Sequence, residues 1–174
     1  MSKLRMPLNE NDHYQGNQDS KVTLVEYGDY QCQHCKIAHS LVGRLLKEFE
    51  GELLFVFRNF PLQEAHPVAM MAALAAEAAS LQGKFWEMHD KIYEDQENLD
   101  GNALLSYAEE LNLDLHDFAD NWKSNELLSK VEKDFEGGIH SGVNGTPTFF
   151  INGDRLNNYD ETYESLRDAV RRAF

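Results

Sequence analysis

The chain has little of three things: cysteine, basic charge and long apolar runs. Only two of its 174 residues are cysteine, Cys32 and Cys35. A disulfide between them closes too short a loop to remove much entropy from the unfolded chain, so the pair is not a structural staple. Its purpose must be chemical. Lys and Arg number 16 against 30 Asp and Glu, for a formal charge of −14. That field repels polyanions, which speaks against nucleic acid as a partner and against an anionic membrane surface. No apolar run approaches the roughly 20 residues needed to span a bilayer. The opening Met-Ser-Lys-Leu-Arg runs into Asn9, Glu10, Asn11 and Asp12 with no apolar signal segment. That predicts a cytoplasmic protein, or a periplasmic one if a leader was removed. In a reducing cytosol a cysteine pair is reactive or metal-binding rather than static. Internal repeats and low-complexity segments are absent too.

What is present is ordinary globular usage, 42% hydrophobic and 26% charged. The length suits one domain, or a domain with an insertion, and carries a core of its own. Residues 1–20 are polar and read as an irregular lead-in. Residues 22–27 are rich in β-branched side chains, with Val22 and Leu24 pointing one way and Val25 and Tyr27 the other. That predicts a central strand covered on both faces. A helix should follow on the stripe Ile37, Leu41, Val42, Leu45 and Phe49, stopping at Gly51. Residues 53–57 form a second buried strand, giving a strand–helix–strand unit. Residues 68–82 and 87–93 read as helix. Asn102 is placed to cap a helix bearing Leu104, Leu105, Ala108 and Leu111. Phe118 and Trp122 share a shorter one. Ser124 is placed to cap another with Leu127, Leu128, Val131 and Phe135, which Gly137-Gly138 should end. Strands return at 148–151 and 154–156 around Asn152-Gly153, a type I′ turn signal. Asp160 is placed to cap a last helix carrying Tyr163, Leu166 and Val170, with Arg171 and Arg172 at its negative end. The expected fold is an α/β sheet in two stretches, 1–62 and 139–174, interrupted by an all-helical insertion at 63–138.

The chemistry centres on Cys32-Gln33-His34-Cys35, between a buried strand and a helix. The first turn of a helix offers unpaired N–H groups and a positive dipole end, and both favour thiolate over thiol. Cysteines so placed titrate at roughly 3.5–7.5 rather than about 8.5. Cys32, nearest the helix end, should be the exposed nucleophile. Cys35, nearly one turn on, should be more buried and act as the resolving thiol. The imidazole of His34 should donate to the Cys32 sulfur or stand near it as a cation, lowering its pKa further. A lower pKa stabilises the reduced pair and makes the disulfide more oxidising. Two other readings stay open: half of a zinc site completed by histidines or carboxylates, and a binding module or sensor whose cysteine is merely oxidisable. Among the histidines His34 and His39 stand closest, and both share the helix with the cysteines. Phe85, Trp86 and Tyr93 suit either a peptide groove or the core, whereas Met70 and Met71 read as core.

The segment from Val22 to Cys35 resembles the active-site segment of DsbA-like thioredoxin-fold oxidoreductases. Arg58-Asn-Phe-Pro-Leu62 resembles the end of that family's next strand, and Phe85-Trp-Glu-Met-His89 its helical insert. Ser141-Gly-Val-Asn-Gly-Thr-Pro-Thr-Phe-Phe-Ile-Asn-Gly153 resembles its proline loop and following strand. The likeness covers about residues 12–172. It is nearest to the branch that includes thioredoxin-like domains fused to sodium/proton antiporters. Gln-His stands between the cysteines where Pro-His or Pro-Tyr is commoner. The resemblance implies a thioredoxin-like fold and thiol–disulfide exchange with protein or small-molecule thiols and a redox partner, without metal or organic cofactor. It further implies that Thr146 and Pro147, with Gln33, meet the substrate, that the peptide before Pro147 is cis, and that Glu26 is a buried acid beneath the cysteines. Glu26 shares the inward face of Val22 and Leu24, an unusual place for a carboxylate.

Overall fold

The computed structural model describes residues 2–174. At its centre is a five-stranded sheet in the order β1-β3-β2-β4-β5. β2 (Val22–Gly28) and β3 (Leu53–Asn59) form the parallel pair, joined through α1 (Gln33–Glu48). β4 (Thr148–Ile151) runs antiparallel to β2, with Phe149 opposite Glu26. β5 (Asp154–Arg155) completes the hairpin, and β1 (His13–Gly16) lies antiparallel on the outer edge of β3. Between β3 and β4 come α2 (Ala69–Ser80), α3 (Phe85–Glu94), a 3-10 turn at Gln96–Asn98, α4 (Gly101–Glu110), α5 (Leu115–Trp122) and α6 (Asn125–His140). α7 (Tyr163–Arg171) follows the hairpin. This is the α/β sheet with a helical insertion that the pattern predicts. Among the described residues no helix is long and apolar enough to cross a membrane.

Both faces of the central strands are covered, as their unbroken apolar runs demand. Val22 and Leu24 join Cys35, Ala38, Val42 and Leu45 of α1 and Leu166 and Val170 of α7 in one cluster. Val25 and Tyr27 join Phe60, Val143 and Phe150 on the other side. Each such side chain contributes roughly 1.5–3 kcal/mol when fully buried. The Ala-rich α2 packs closely because alanine keeps helix axes near one another. Eight of its residues, Ala69 to Ala79, are buried, Glu77 included. Phe85 and Tyr93 are core residues, and the Trp86 indole N–H donates to the Tyr14 carbonyl at 2.8 Å.

Several local expectations are corrected. The lead-in is not irregular throughout, since His13–Gly16 pairs with β3 through backbone bonds that its polar sequence does not advertise. Arg58 holds the segment before it. Its guanidinium is fully buried and forms a two-pronged pair with Asp12 (2.8 Å to each carboxylate oxygen) while donating to the Met6 and Pro7 carbonyls. Asp100 rather than Asn102 caps α4, and Thr162 rather than Asp160 caps α7. Ile37 is 43% exposed, so the buried stripe of α1 runs through Cys35, Ala38, Val42 and Leu45 instead. The second arm of the hairpin stops at Arg155, although Asn152 and Gly153 both take the positive φ of the expected turn.

Gly137 and Gly138 do not end α6, which continues to His140, and Gly142 (φ +82°) lies beyond its cap. Gly138 serves packing. A Cβ there would stand 2.7 Å from the Phe60 ring and 3.1 Å from that of Tyr27. Phe60 cannot move aside, being buried and stacked on Phe135 with centroids 4.4 Å apart. Gly138→Ala is therefore expected to destabilise the protein by about 1–3 kcal/mol, despite alanine's better helix propensity. Denaturant unfolding measures this, and a variant as stable as the parent would show that α6 does not depend on this close approach.

Candidate active site

The head of α1 is built without a side-chain cap. Cys32 occupies the cap position in extended conformation, and its side chain caps nothing. Buried polar groups hold the approach instead. Asp29 is 1% exposed and accepts hydrogen bonds from Gln31 N (2.7 Å), Leu62 N (2.8 Å) and His66 Nδ1 (2.9 Å). Its carbonyl accepts from Cys32 N (3.1 Å) and from the Tyr93 hydroxyl (3.3 Å). The Gln96 amide donates to the Tyr30 and Cys32 carbonyls at 2.8 and 2.9 Å. Gln31 Oε1 accepts from Val68 N at 2.8 Å. The loop is thus tied to the end of β3 and to the helical insertion. Every buried polar group named here has a partner, as burial requires.

The two sulfurs stand in different surroundings. Cys35 is fully buried, and the Asp29 N–H donates to its sulfur at 3.5 Å. Burial pushes its pKa well up, reinforced by its bond to Cys32 and by the charge of Glu26. Cys32 moves the other way, down to about 5. The largest cause is the hydrogen bond donated by the Cys35 thiol, opposed by desolvation and aided by Thr146 and by the backbone N–H groups of Cys35 and His34. As a thiol, Cys32 donates to the Thr146 carbonyl at 3.5 Å. One proton is held on Cys35 so that the charge rests on Cys32.

The other predicted residues converge only in part. Cys32 itself is 5% exposed rather than open, because the loop bearing Thr146 lies against its sulfur. The Thr146–Pro147 peptide is cis. The Thr146 hydroxyl is buried without a hydrogen-bond partner. Glu26 lies on β2, 2% exposed, with Oε1 likewise unpartnered. Burial, and then the charge of Cys32, raise its pKa to about 8. Gln33 is exposed in the first turn of α1. The His34 imidazole does not reach the sulfur: Nδ1 pairs with Glu161 Oε1 at 2.6 Å, on side chains 62% and 41% exposed. His34 acts on Cys32 through its backbone N–H instead. Sequence reasoning missed Asp29, Gln31, His66 and Gln96. Asp29 had a signal, a carboxylate directly between a buried strand and the cysteines. Gln96 had none, since its reach to the Cys32 carbonyl exists only once the insertion is packed.

A cysteine pair at a helix head, facing a Thr-Pro loop across an α/β sheet, defines a thioredoxin-type site. The thioredoxin family profile matches residues 8–172, and the chain belongs to that family. A curated relative, the Na+/H+ antiporter NhaA 1 of Salinispora arenicola, is 42% identical over 172 residues, which make up 98% of this chain and 26% of the antiporter. The chain thus spans about a quarter of that relative. Among solved structures, oxidised BdbD from Bacillus subtilis superposes with a TM-score of 0.85 at 24% identity, covering 99% of this chain and 97% of that one. The thiol-disulfide exchange protein α-DsbA2 from Wolbachia pipientis gives 0.80 at 22% identity, covering 95% and 89%. The fold is DsbA-like, and the likeness to the thioredoxin-like part of sodium/proton antiporters holds.

These surroundings yield two expectations. Thiolate absorbance of Cys32 should titrate with a midpoint near pH 5. Cys35→Ala should raise that midpoint more than His34→Ala does, since the Cys35 thiol is the largest influence and the His34 side chain faces Glu161. The reverse ranking would mean that the imidazole governs the sulfur in solution. The second concerns Glu26. Its folded pKa lies above its unfolded value, so its favourable contribution is complete below about pH 4.5 and is lost as pH rises through about 8. Glu26→Gln removes that loss. It should stabilise the reduced protein by about 3 kcal/mol at pH 7 and by little at pH 4. Denaturant unfolding at the two pH values checks this, and an equal shift at both would rule out a buried charge as the cause.

Proposed function

We propose that this protein exchanges thiols and disulfides with protein or small-thiol substrates through Cys32 and Cys35. The observation that carries the reading is the placement of the two sulfurs, Cys32 at the head of α1 against the Thr146 carbonyl and Cys35 fully buried beneath it, which favours thiolate on the first and thiol on the second. The Cys32 thiolate attacks a substrate disulfide, forming a mixed disulfide and expelling one substrate thiolate, which takes a proton from water. Once the mixed disulfide has used up the Cys32 charge, Glu26 releases its proton to water, and Cys35 gives its own proton to the Glu26 carboxylate as it attacks the Cys32 sulfur. The Cys32–Cys35 disulfide forms, and the second substrate thiolate leaves. The substrate disulfide has gained two electrons and the pair has lost two, so another thiol couple must restore the dithiol. Run backwards, the same steps oxidise a substrate dithiol. A Glu26 pKa of about 8 suits an acid that accepts and returns a proton near neutrality.

Thr146 and Pro147 form the wall that a substrate chain meets. The Thr146 carbonyl, which accepts from the Cys32 thiol in the resting protein, is free to pair with an extended substrate backbone once Cys32 is in a mixed disulfide. Gln33 lies exposed on the rim. The low Cys32 pKa stabilises the reduced pair and makes the disulfide the more oxidising. The Wolbachia protein that shares this fold is a thiol-disulfide exchange protein, which supports the same reading.

Insulin reduction driven by a dithiol tests the reading. Cys32→Ser is expected to abolish catalysis, and Cys35→Ser to accumulate a mixed disulfide with the substrate. If Cys32→Ser reduces insulin at the parent's rate, the exchange reading fails and a binding role for the fold takes its place.

A further inference from the structure

A second cluster of chemistry-bearing side chains lies in the seam between α1 and α3. His39 comes from α1, and His89 and Asp90 come from α3. One ligand-type atom of each lies within 4.8 Å of the other two. His39 Nε2 stands 2.8 Å from Asp90 Oδ1, and the two imidazole centroids are 5.4 Å apart. All three line a cavity of about 880 Å³. His89 is 3% exposed, whereas the side chains of His39 and Asp90 are 21% and 50% exposed, so the cluster runs from the interior to solvent.

We propose that His39, His89 and Asp90 form a binding site for a divalent transition-metal ion of the zinc class, separate from the cysteine pair and not dependent on the exchange reading. Two imidazoles and a carboxylate are the donor set of borderline ions such as Zn²⁺, and a poor one for Ca²⁺ or Mg²⁺. A tetrahedral ion with bonds of ~2.0–2.1 Å spaces its ligands about 3.3 Å apart. The spacings here, 2.8 Å for the His39–Asp90 pair and no more than 4.8 Å across the cluster, bracket that value. The ion would take the place of the direct His39–Asp90 contact.

His89 carries the features of a prepared ligand. Its Nδ1 bonds the Tyr30 hydroxyl at 2.9 Å, an outer contact that fixes the ring plane and leaves Nε2 as the nitrogen on offer. A fourth position is left for water or an outside ligand from the cavity. Lys36, Arg44 and Lys47 share the cavity wall with Glu26, Glu50 and Glu94, so the local charges nearly balance within a chain of net charge −14. Because the ligands come from two helices, a bound ion ties α1, the cysteine-bearing helix, to the insertion.

The test uses the full chain carrying Cys32→Ser and Cys35→Ser, which removes thiolate as a competing ligand. Calorimetric titration with ZnCl₂ should give one ion per chain, and Co²⁺ should give the visible bands of a tetrahedral nitrogen–oxygen site without a sulfur charge-transfer band. Adding His39→Gln or Asp90→Asn, both on partly exposed side chains, should weaken binding by about tenfold or more and cancel the rise in melting temperature that Zn²⁺ produces. His116→Ala, an exposed histidine on α5, should leave both unchanged. Absence of binding at millimolar zinc, or equal affinity in the parent and the His39→Gln and Asp90→Asn variants, would overturn the assignment.

Discussion

The hydrogen bonds of Asp29 are the constraint on which the site depends. A single buried residue binds the sulfur of Cys35 with its N–H, the N–H of Cys32 with its carbonyl, and three further donors with its carboxylate. Those donors belong to the loop before α1 and to the segment after β3. Hydrogen bonds to charged groups contribute roughly 1.5–3 kcal/mol each, and a buried charge stripped of them costs more than they contribute. The loop therefore has one low-energy course. That course delivers Cys32 to the cap position of α1 without any cap from its own side chain.

From this position the two sulfurs part company through ordinary physics. Cys35 points into the cluster that α1 shares with β2, where burial makes ionisation costly. Its proton stays on and is donated sideways to Cys32. The backbone N–H groups of the first turn complete the stabilisation of the Cys32 thiolate. Glu26 adds a second buried acid below, on the strand face of Val22 and Leu24. Two anions cannot be sustained in so dry a place, so the charge on Cys32 and the proton on Glu26 go together. Cys32, Cys35 and Glu26 hold two protons and one negative charge between them, and such coupled groups titrate as a set.

The large elements were legible because they rest on periodicity and burial, which sequence records directly. The run of residues 53–57, the stripe on α1 and the Asn152-Gly153 turn each announce their structure. The caps were harder. Asp100 and Asn102 are both good cap residues two positions apart, and only the course of the preceding chain decides between them. Gly137-Gly138 looked like a stop because glycine commonly ends helices, yet here its value is the space it leaves for Phe60. β1 was invisible because its polar sequence advertises neither its pairing with the edge of β3 nor the contacts of His13 with Glu77 and Phe85. At the site, the places of Cys32 and Cys35 were legible from position and that of Glu26 from the family resemblance, but the expected exposure of Cys32 was not met, because the loop bearing Thr146 covers its sulfur. The expectation for His34 failed because adjacency in sequence does not fix where a long side chain points. Glu161, more than a hundred residues away, captures it.

That last point extends to the helical insertion. Gln96 after α3, Tyr93 within it and His66 before α2 all bond the loop that carries the cysteines, and Val68 N bonds Gln31. The same helices contribute Phe85, Met88, Ile92 and Tyr93 to the cluster that contains Cys35. A single burial unit thus spans the sheet, α1 and the insertion. The dryness that separates the two thiols is accordingly a property of that whole unit. Helices far from the cysteines in sequence thus bear on how readily Cys35 gives up its proton, because they help to keep it buried.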